Sequence, residues 1–367
     1  MTTDLRLAVD STDGAARTGA ITTPRGSFRT PCFMPVGTRA TVKAMSTADL
    51  ADIGFEVMLS NTYHLMLRPG AEVIRDLGGI HGFSAWDGHV LTDSGGYQVF
   101  SLEPEVDDDG ATFRSTYDGS RHRLTPERAI DLQQDLGADI AMVLDVCPPL
   151  PSPPEVIRLA VERTAAWAAR SRRHHSRADQ ALFGIVQGGV DEALRRESAE
   201  RTAELDFAGY GIGGLSVGEP RHEMFPALAA AIAVLPPERP RYVMGLGDPV
   251  GLVECIALGA DLFDCVLPTR LARHGSVLTT VEGRLQLRNQ RFAADAGPID
   301  ESCPCATCRR YSRAYLRHLL QVGEPTALRL LTWHNLAWTL ALITRVRTAI
   351  EAGDLDRVRR EVAEVWG

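Results

Sequence analysis

Three aspartates and one glutamine lie at the ends of short apolar runs of the sequence: Asp93, Asp145, Asp264 and Gln187. An aspartate that follows a strand is often a helix N-cap or a turn former, and that explanation stays open for each residue alone. Four polar groups at the ends of separate strands are harder to explain in this way. Carboxylates serve as nucleophiles, acids and bases, so the pattern predicts one reactive site built from several segments.

Glycine pairs occur at three positions of the same kind, residues 95–96, 188–189 and 213–214, and Met244 lies at another strand end. A backbone without side chains lets a flat ligand approach its amide groups. Each pair is a weak signal alone. Together with the polar set, the pairs indicate a site that takes a flat ligand.

A second group of reactive side chains has the spacing of a metal site. Cys303, Cys305 and Cys308 lie within six positions, and twenty-five residues separate the last of them from His334. Three thiolates and one imidazole complete a closed tetrahedral Zn²⁺ site, so we expect one structural zinc ion, with unmetallated buried cysteines as the alternative. The odd total of seven cysteines favours metal ligation in a reducing compartment.

The elements that position these residues alternate between strand-like and helical segments. Eight apolar runs fit strands, at residues 31–36, 57–61, 89–96, 139–147, 181–189, 207–215, 241–247 and 261–268. Helical patterns lie between them, at residues 125–137, 154–177, 191–205 and 224–234. Eight near-continuous apolar strands that alternate with helices favour an α/β fold, a (β/α)8 TIM barrel. A doubly wound open sheet is the alternative.

Two stretches interrupt this alternation. Residues 101–124 contain two Asp-Gly pairs and are predicted to form an inserted hairpin. Residues 277–287 form a second predicted hairpin, and the cysteines follow it. We therefore expect an inserted zinc-binding subdomain at about 270–335, with a helical end over 335–365. No repeat or linker divides the rest, so residues 1–367 are predicted to be a single barrel domain.

Composition and charge exclude several classes of protein. The 367 residues are 44% hydrophobic and 23% charged, which supports a large core rather than disorder. No apolar run approaches the roughly 18 to 20 residues of a membrane helix, and no signal peptide pattern opens the chain, so we expect a cytoplasmic protein without a membrane partner.

The net charge of −8 argues against non-specific coating of nucleic acid. Between Cys265 and Arg317, however, there are nine arginines and four carboxylates. This tract predicts one anionic partner held at one place, with a solvated surface as the alternative.

Taken together, these residues resemble the tRNA-guanine transglycosylase family. The resemblance rests on the Cys3His set and on residues 93–98 (DSGGYQ), 184–189 (GIVQGG), 213–219 (GGLSVGE) and 263–270 (FDCVLPTR), in the family's order. It implies a (β/α)8 barrel with a zinc-bearing insertion. It also implies an enzyme that exchanges guanine at the wobble position (34) of tRNAs with GUN anticodons for preQ1, a 7-deazaguanine.

The resemblance implies the catalytic residues. Breaking an N-glycosidic bond and remaking it on the same face of the ribose needs two displacements, hence a carboxylate nucleophile and a second group that moves protons. Asp264 matches the family nucleophile, which forms a covalent ribosyl-enzyme intermediate. Asp93 matches the general acid/base.

The resemblance also implies the base-binding residues. Asp145 would accept hydrogen bonds from guanine N1 and the 2-amino group, while Gln187 and the Gly214 amide would bind the carbonyl edge. Tyr97 and Met244 would stack on a flipped-out base. The whole set comprises Ser94, Gly95, Gly96, Tyr97, Asp145, Gln187, Gly214, Leu215 and Met244.

Two segments match the anticodon-contacting parts of the family. They comprise Gly245, Leu246, Gly247, Asp248, Pro249, Val250 and Gly251, then Thr269, Arg270, Leu271, Ala272 and Arg273. Arg270 and Arg273 are the expected RNA contacts, with ordinary surface arginines as the alternative. The implied partners are tRNA (the Asp, Asn, His and Tyr isoacceptors), guanine, preQ1 and a second copy in a homodimer.

Two departures, Val146 and Ser216, qualify the resemblance, whereas Val217 agrees with it. Val146 stands where bacterial members usually carry Glu, which leaves no acidic contact at that position to a charged aminomethyl group. Ser216 replaces a common Ala. Val217 agrees with bacterial members and narrows the pocket, which favours preQ1 over queuine.

Two other functions compete with the enzyme hypothesis. A catalytically silent tRNA-binding partner subunit of the same family would be expected to lose Asp264 or Asp93, and both are present. A zinc-dependent hydrolase would need an open metal site at the strand ends, whereas the Cys3His set is closed. The residues therefore favour the transglycosylase.

Overall fold

The computed structural model describes residues 5–367, which contain sixteen β-strands and fourteen α-helices. The strands are β1 (Arg6–Asp13), β2 (Ala16–Thr23), β3 (Gly26–Thr30), β4 (Cys32–Pro35), β5 (Val57–Ser60), β6 (His89–Thr92), β7 (Glu105–Asp107), β8 (Gly110–Arg114), β9 (Arg121–Leu124), β10 (Ile140–Met142), β11 (Ala181–Val186), β12 (Gly209–Ile212), β13 (Arg241–Val243), β14 (Leu262–Cys265), β15 (Ser276–Leu278) and β16 (Arg284–Gln286). Residues 1–4 of the predicted domain lie outside the described residues.

The α-helices follow the same chain order. They are α1 (Thr47–Ile53), α2 (Thr62–Leu67), α3 (Ala71–Asp76), α4 (Gly79–Ser84), α5 (Gly96–Phe100), α6 (Pro126–Leu136), α7 (Pro154–His174), α8 (Glu192–Ala203), α9 (Arg221–Ile232), α10 (Pro249–Ala257), α11 (Leu267–Arg273), α12 (Arg313–Gln321), α13 (Pro325–Glu351) and α14 (Leu355–Trp366). A short 3-10 helix covers Gln290–Phe292. Over residues 5–367, no helix combines the length and the apolar character needed to cross a membrane.

Eight parallel strands form a barrel in the order β4, β14, β13, β12, β11, β10, β6 and β5. A parallel bridge between Val36 and Leu59 connects β4 to β5 and closes the ring. The predicted barrel is therefore confirmed, and the doubly wound alternative is wrong. Each barrel strand lies inside one of the eight apolar runs. β5, β6, β11 and β12 are buried along their whole length, as expected of strands covered on both faces.

The four predicted helices are present as α6, α7, α8 and α9, and α6 shows how a helix fixes the adjoining strand. The Thr125 hydroxyl accepts a hydrogen bond from the Arg128 N–H at 3.2 Å, which caps the first turn, and Gly137 ends the helix with φ of 70°. Inside the helix, Gln133 is fully buried. Its amide accepts from Met142 N at 2.8 Å and donates to Met142 O at 2.9 Å, which holds the end of β10.

The insertion at residues 101–124 differs from the single hairpin that the sequence predicts. It forms a three-stranded antiparallel sheet in which β8 pairs with both β7 and β9. The physical reason is that both Asp-Gly pairs make chain reversals: residues 109–110 connect β7 to β8, and residues 118–119 connect β8 to β9. The Trp167 indole donates to the Asp108 carbonyl at 2.8 Å and connects this sheet to α7.

The antiparallel sheet of β1, β2 and β3 was not predicted, and it packs at the amino-terminal end of the barrel. Arg17 of β2 places its guanidinium against the fully buried Asp261 carboxylate, with N···O distances of 2.8 and 2.7 Å. Asp261 also accepts from Arg241 N at 2.8 Å, while its backbone carbonyl accepts from Cys32 N at 2.7 Å. One buried ion pair thus connects the first sheet with β4, β13 and β14.

The cysteine-bearing region has a core of its own. The predicted hairpin is present as β15 and β16, and the helical end consists of α13 and α14. Apolar residues of this region form a second buried cluster around the three cysteines, separate from the barrel core. This arrangement fits a zinc-binding subdomain, while its exact bounds stay a prediction.

We predict that Asp261→Asn destabilises the protein by roughly 3 to 5 kcal/mol, because it leaves the buried Arg17 guanidinium without a counter-charge. Glu105→Gln is the matched control. Its ion pair with Arg121 is exposed on both sides, so its loss is expected to cost less than about 1 kcal/mol. The measurement is the free energy of unfolding in denaturant. Similar losses for the two variants would contradict the assigned role of the buried pair.

Candidate active site

The carboxyl ends of the barrel strands meet at one mouth, and the structure brings the four predicted polar side chains there. Asp93 follows β6, Asp145 follows β10, Gln187 follows β11, and Asp264 is part of β14. Because β10, β11 and β12 are neighbours, Asp145, Gln187 and Gly214 share one arc of the mouth. The opposite arc runs from Asp264 on β14 through β4 and β5 to Asp93 after β6.

Hydrogen-bond donors surround the Asp93 carboxylate. Asn61 Nδ2 donates to Oδ2 at 2.6 Å, and the backbone N–H groups of Thr62 and Gly95 donate to Oδ1 at 2.8 and 3.2 Å. Burial raises the pKa of Asp93 to about 6, and the donors offset only part of that effect. A carboxyl group with this pKa exchanges its proton near neutral pH, as an acid/base group must.

The Asp264 carboxylate has a different environment. The Tyr242 hydroxyl donates to Oδ1 at 2.6 Å, and the Gly245 N–H donates to the same oxygen at 2.7 Å. Within residues 5–367, no donor reaches Oδ2. Burial raises the pKa of Asp264, while the two donors lower it. One oxygen is therefore fixed by two hydrogen bonds, and the other is left for a reaction partner.

Tyr242 lies close to both carboxylates. Its pKa is raised well above the ordinary value by burial and then by the charges of Asp264 and Asp93. The hydroxyl therefore keeps its proton and stays a donor to Asp264. Tyr242 was not predicted as a site residue because it lies inside an apolar strand run.

Asp145 and Gln187 form a buried pair on the opposite arc. Gln187 Nε2 donates to Asp145 Oδ2 at 2.6 Å, and both side chains are at most 7% exposed. Burial raises the pKa of Asp145 to about 6, with a smaller contribution from the negative charge of Asp93. The pair places one carboxylate and one amide side by side, which suits a flat ring with neighbouring donors and acceptors.

Gly213 and Gly214 lie directly against the Gln187 side chain, which would have to shift to accommodate a Cβ at either position. A Cβ at Gly213 would lie 2.8 Å from Gln187 Nε2, and one at Gly214 would lie 2.4 Å from Gln187 Oε1. Gly214 also has φ of 65°, which other residues rarely adopt. The glycines thus let the amide side chain lie against the backbone that follows β12.

Arg195 of α8 holds the segments that follow β11 and β12. This residue was not predicted from the sequence either. Its buried guanidinium donates to the carbonyl oxygens of Gly189 at 2.7 Å, Gly213 at 2.7 Å and Gly214 at 3.1 Å. Burial lowers the pKa of Arg195 to about 10, so the group stays charged at neutral pH. Its donors satisfy backbone carbonyls that would otherwise lack partners.

The loop after Gly214 is fixed by Glu219. Its carboxylate accepts from the backbone N–H groups of Ser216 and, at 3.0 Å, Val217. Ser216 has φ of 61°, and Leu215 is buried. Val217 is half-buried in this loop, and the hydrogen bond to Glu219 holds its backbone in place.

Tyr97 and Met244 lie on opposite sides of the mouth. Tyr97 is in the first turn of α5, after β6, with its ring 62% exposed, while Met244 follows β13 and is half-buried. In the ring of eight strands, β6 and β13 are diametrically opposed. Ser94, Gly95 and Gly96 are buried beneath the Tyr97 turn.

The two predicted RNA-binding segments flank Asp264. In residues 245–251, Gly245 is exposed and Asp248 is half-buried, where it caps α10 and pairs with Arg221 at 2.7 Å. The other five are buried. In residues 269–273, Arg270 is exposed and Arg273 is half-buried on α11. Thr269 and Ala272 are buried, and Leu271 is half-buried.

The predicted metal ligands come together away from the mouth. The ligand atoms of Cys303, Cys305, Cys308 and His334 all lie within 4.8 Å of one another, and all four residues are buried. His334 Nε2 lies 2.7 Å from the Leu278 carbonyl, to which it donates, so Nδ1 faces the thiols. A second hydrogen bond of this kind orients a metal-binding histidine.

Asn61 was not singled out from the sequence either, although it ends a predicted strand run. A polar residue at that end of a barrel strand is the signal that could have found it. Arg195 and Tyr242 carry no comparable signal, since each stands within an ordinary helical or strand pattern.

Comparison with known proteins identifies the family of this chain. The family model described as queuine tRNA-ribosyltransferase matches residues 11–367. Relatives named queuine tRNA-ribosyltransferase include one from Moorella thermoacetica, 52% identical over 95% of this chain and 94% of the relative. Another, from Desulforudis audaxviator, is 55% identical over 91% of each chain. A third, from Oceanobacillus iheyensis, is 51% identical over 96% of this chain and 93% of the relative. The chain belongs to the queuine tRNA-ribosyltransferase family.

Proposed function

We propose that this protein is a tRNA-guanine transglycosylase that replaces guanine at position 34 of tRNAs with GUN anticodons by preQ1. The observation that carries the proposal is the mouth itself. Two carboxylates with different hydrogen-bond environments lie on one arc, and an aspartate–glutamine pair suited to a guanine edge lies on the other. Family membership supports tRNA guanine modification as the chemistry of this mouth.

The first displacement uses Asp264. Oδ2 attacks ribose C1′ of the flipped nucleotide, a C–O bond forms, and the C1′–N9 bond to guanine breaks. Hydrogen bonds from Tyr242 and Gly245 hold Oδ1, so Oδ2 points to the substrate without a competing donor. Asp93, with its pKa of about 6, supplies the proton that the departing guanine takes.

The second displacement reverses the roles. The incoming base gives its N9 proton to the Asp93 carboxylate and attacks C1′ from the face that guanine left. The ribosyl–Asp264 bond breaks, and the configuration at C1′ is retained overall. Asn61, Thr62 and Gly95 stabilise the charged form of Asp93 through their hydrogen bonds, which keeps it able to accept a proton.

Recognition of the base falls to the opposite arc. Asp145 accepts from N1–H and the 2-amino group, which requires its carboxylate form. Gln187 then gives up its hydrogen bond to Asp145 and, with the Gly214 N–H, donates to the base carbonyl. Tyr97 and Met244 stack on the two faces of the ring from opposite sides of the mouth.

The RNA outside the pocket is held by the segments that flank Asp264. Arg270 and Arg273 contact phosphates, while Gly245 and Asp248 are the accessible residues of residues 245–251. The buried members of both segments position the accessible ones. The substrates are the Asp, Asn, His and Tyr isoacceptors.

The metal is proposed to be one structural Zn²⁺ per chain. Three thiols and an imidazole suit zinc, and a closed set with no water position supplies no chemistry of its own. The buried cluster around the ligands and the hydrogen bond from His334 to Leu278 fit this role. We also propose a cytoplasmic homodimer; the stacked and partly exposed Tyr311–Tyr315 pair offers an apolar surface to a second copy.

The experiment that tests the proposed function uses zinc-loaded protein, unmodified tRNA-Tyr and labelled guanine. Incorporation of label into the tRNA, and its loss when preQ1 is added, is the expected result. A tRNA with a different first anticodon base serves as the control. Folded protein that incorporates no label would overturn the proposal.

The nucleophile is tested by Asp264→Asn. With wild-type protein, a tRNA adduct should survive denaturing electrophoresis, whereas the amide variant should form none and still bind tRNA. Asp356→Asn, at an exposed carboxylate of α14 outside both RNA-binding segments, is the control, and its adduct should remain. If the adduct persists in Asp264→Asn, the nucleophile lies elsewhere, with Asp93 the nearest alternative.

The metal is tested by removal. We expect one zinc ion per chain, and Cys305→Ala should lower the yield of folded protein because the ligands belong to a buried cluster. The folded fraction that retains metal should keep the rate of adduct formation within about 3-fold of wild type, because the site lies away from the mouth. A folded, metal-free protein that has lost only turnover would contradict a structural role.

The width of the pocket is tested at Val217. Val217→Gly removes the branched side chain from a wall that Glu219 holds rigid, so a base with a bulky 7-substituent such as queuine should gain entry. The comparison is kcat/KM for preQ1 and for queuine, with Val217→Ala as the intermediate variant. The gain for queuine should reach at least about 10-fold, since even one methylene in a pocket discriminates by ~1 to 3 kcal/mol. Equal use of both bases by wild type would show that Val217 does not control entry.

A further inference from the structure

Four side chains form a cationic group at the rim of the mouth that the mechanism does not use. We call Arg39, His64, Arg68 and Tyr117 the rim cluster. Arg39 lies in the loop after β4, His64 is in α2, Arg68 follows that helix, and Tyr117 comes from the inserted three-stranded sheet. Three separate parts of the chain thus meet at one aromatic ring.

The geometry of the rim cluster centres on Tyr117. The guanidinium carbons of Arg39 and Arg68 lie 5.4 and 4.7 Å from the centre of its ring, within the range of cation–π contacts. Its hydroxyl lies 3.0 Å from His64 Nδ1. The neighbouring Thr116 hydroxyl lies 3.2 Å from the Tyr63 hydroxyl, which fastens the tip of the insertion to α2.

The charge of the rim cluster is unbalanced. Among residues 5–367, neither Arg39 nor Arg68 forms an ion pair or a hydrogen bond through its guanidinium, and both residues are exposed. Other arginines of the insertion differ: Arg121 and Arg123 pair with carboxylates at 2.8 Å. Asp118, next to Tyr117, is occupied by the N–H and hydroxyl of Ser120. Two like charges over one ring repel each other, so an anion placed between them would be favoured.

His64 adds a neutral donor to this group. Burial and then the charge of Arg39 lower the pKa of His64, so its imidazole is neutral near pH 7. When the Tyr117 hydroxyl donates to Nδ1, the ring proton is on Nε2. A ligand at the rim would therefore meet two cations and one N–H group.

The position of the rim cluster identifies the ligand. Thr62 in the first turn of α2 donates its N–H to Asp93, and His64 lies two residues further along the same helix. The loop that carries Arg39 follows β4, which lies between β14 with Asp264 and β5. The cluster thus sits on the arc between the two carboxylates, opposite the base-recognition arc. This is where the sugar–phosphate chain of a nucleotide must pass when its base points at Asp145.

We propose that the rim cluster binds a backbone phosphate adjacent to the exchanged nucleotide of the tRNA, with Arg39 and Arg68 as its cationic contacts. This inference rests on the proposed function. Planar guanidinium groups bind phosphate oxygens through two parallel hydrogen bonds, and the Tyr117 ring holds both arginines ready for that contact. The phosphate would be held on the arc between Asp264 and Asp93, where β4 adjoins the strand that leads into α11. The rim cluster, Arg270 and Arg273 would then together hold the RNA beside the reacting ribose.

The test compares binding of unmodified tRNA-Tyr to full-length, zinc-loaded wild type, Arg39→Gln, Arg68→Gln and the double variant, without added base. Arg196→Gln is the control, because Arg196 on α8 is exposed and forms no ion pair with another residue of the range 5–367. Each rim substitution should weaken binding by about 5-fold at 0.15 M salt, and the double variant should reduce the slope of log affinity against log salt by ~0.7, the value for one phosphate. Arg196→Gln should change neither quantity.

A second measurement does not depend on the variants. In anticodon stem-loops that carry one neutral methylphosphonate, replacement of a phosphate next to nucleotide 34 should weaken wild-type binding about as much as the arginine substitutions do. For the double variant, the same replacement should cause no further loss of binding affinity. Unchanged slopes in the rim variants, or additive losses at every phosphate, would overturn the proposal and leave an ordinary cationic surface.

The two proposals fail in different ways. If wild type neither binds unmodified tRNA-Tyr nor exchanges its guanine, the proposed function is wrong and the rim cluster loses its ligand with it. If wild type binds and exchanges while the rim variants behave like Arg196→Gln, only this inference is wrong.

Discussion

Closure of the barrel is the constraint on which the rest of the molecule depends. β4 pairs with β14 on one side and, through the Val36–Leu59 bridge, meets β5 on the other. Asp264 belongs to β14, the last barrel strand in the sequence. Only this closure brings Asp264 to the arc that carries Asn61 and Asp93. In an open sheet, β4 and β5 would stand at opposite edges, with β14 next to β4 and β6 next to β5, and the two carboxylates could not face one substrate.

The mouth places charged and polar groups where burial makes them reactive. Burial raises the pKa of Asp93, Asp145 and Asp264, and in each case donors from the adjoining strand ends offset part of the effect. Those donors are largely backbone N–H groups and side chains held by packing, so they need little rearrangement when charge moves. One consequence is a set of constrained positions, such as Gly214, which has a positive φ and lies against Gln187, so that a larger residue there would be strained.

The barrel strands, the four helices and the metal ligands could be predicted because each leaves a local signal: a buried apolar run, a cap, or a fixed cysteine spacing. The N-terminal sheet left none, since β1 alternates exposed and half-buried residues and carries no long apolar run. Tyr242 and Arg195 were missed for another reason. Their partners, Asp264 and the carbonyls of Gly213 and Gly214, lie about 20 residues away, and only the barrel brings them together.

The metal-binding region is joined to the mouth by one chain of hydrogen bonds. His334 contacts the Leu278 carbonyl of β15, and the next residue, Asn335, donates to the carbonyls of Ser276 and Pro268 at 3.1 and 2.9 Å. Pro268 lies in the first turn of α11, the helix that carries Arg270 and Arg273 and begins shortly after Asp264. An ion bound by His334 would therefore fix the helix that carries these arginines, whereas Asp93 is held by Asn61 and Thr62, and Asp145 is held by Gln187. The closed ring thus brings together carboxylates whose hydrogen-bond partners do not include the helix next to the Cys3His cluster.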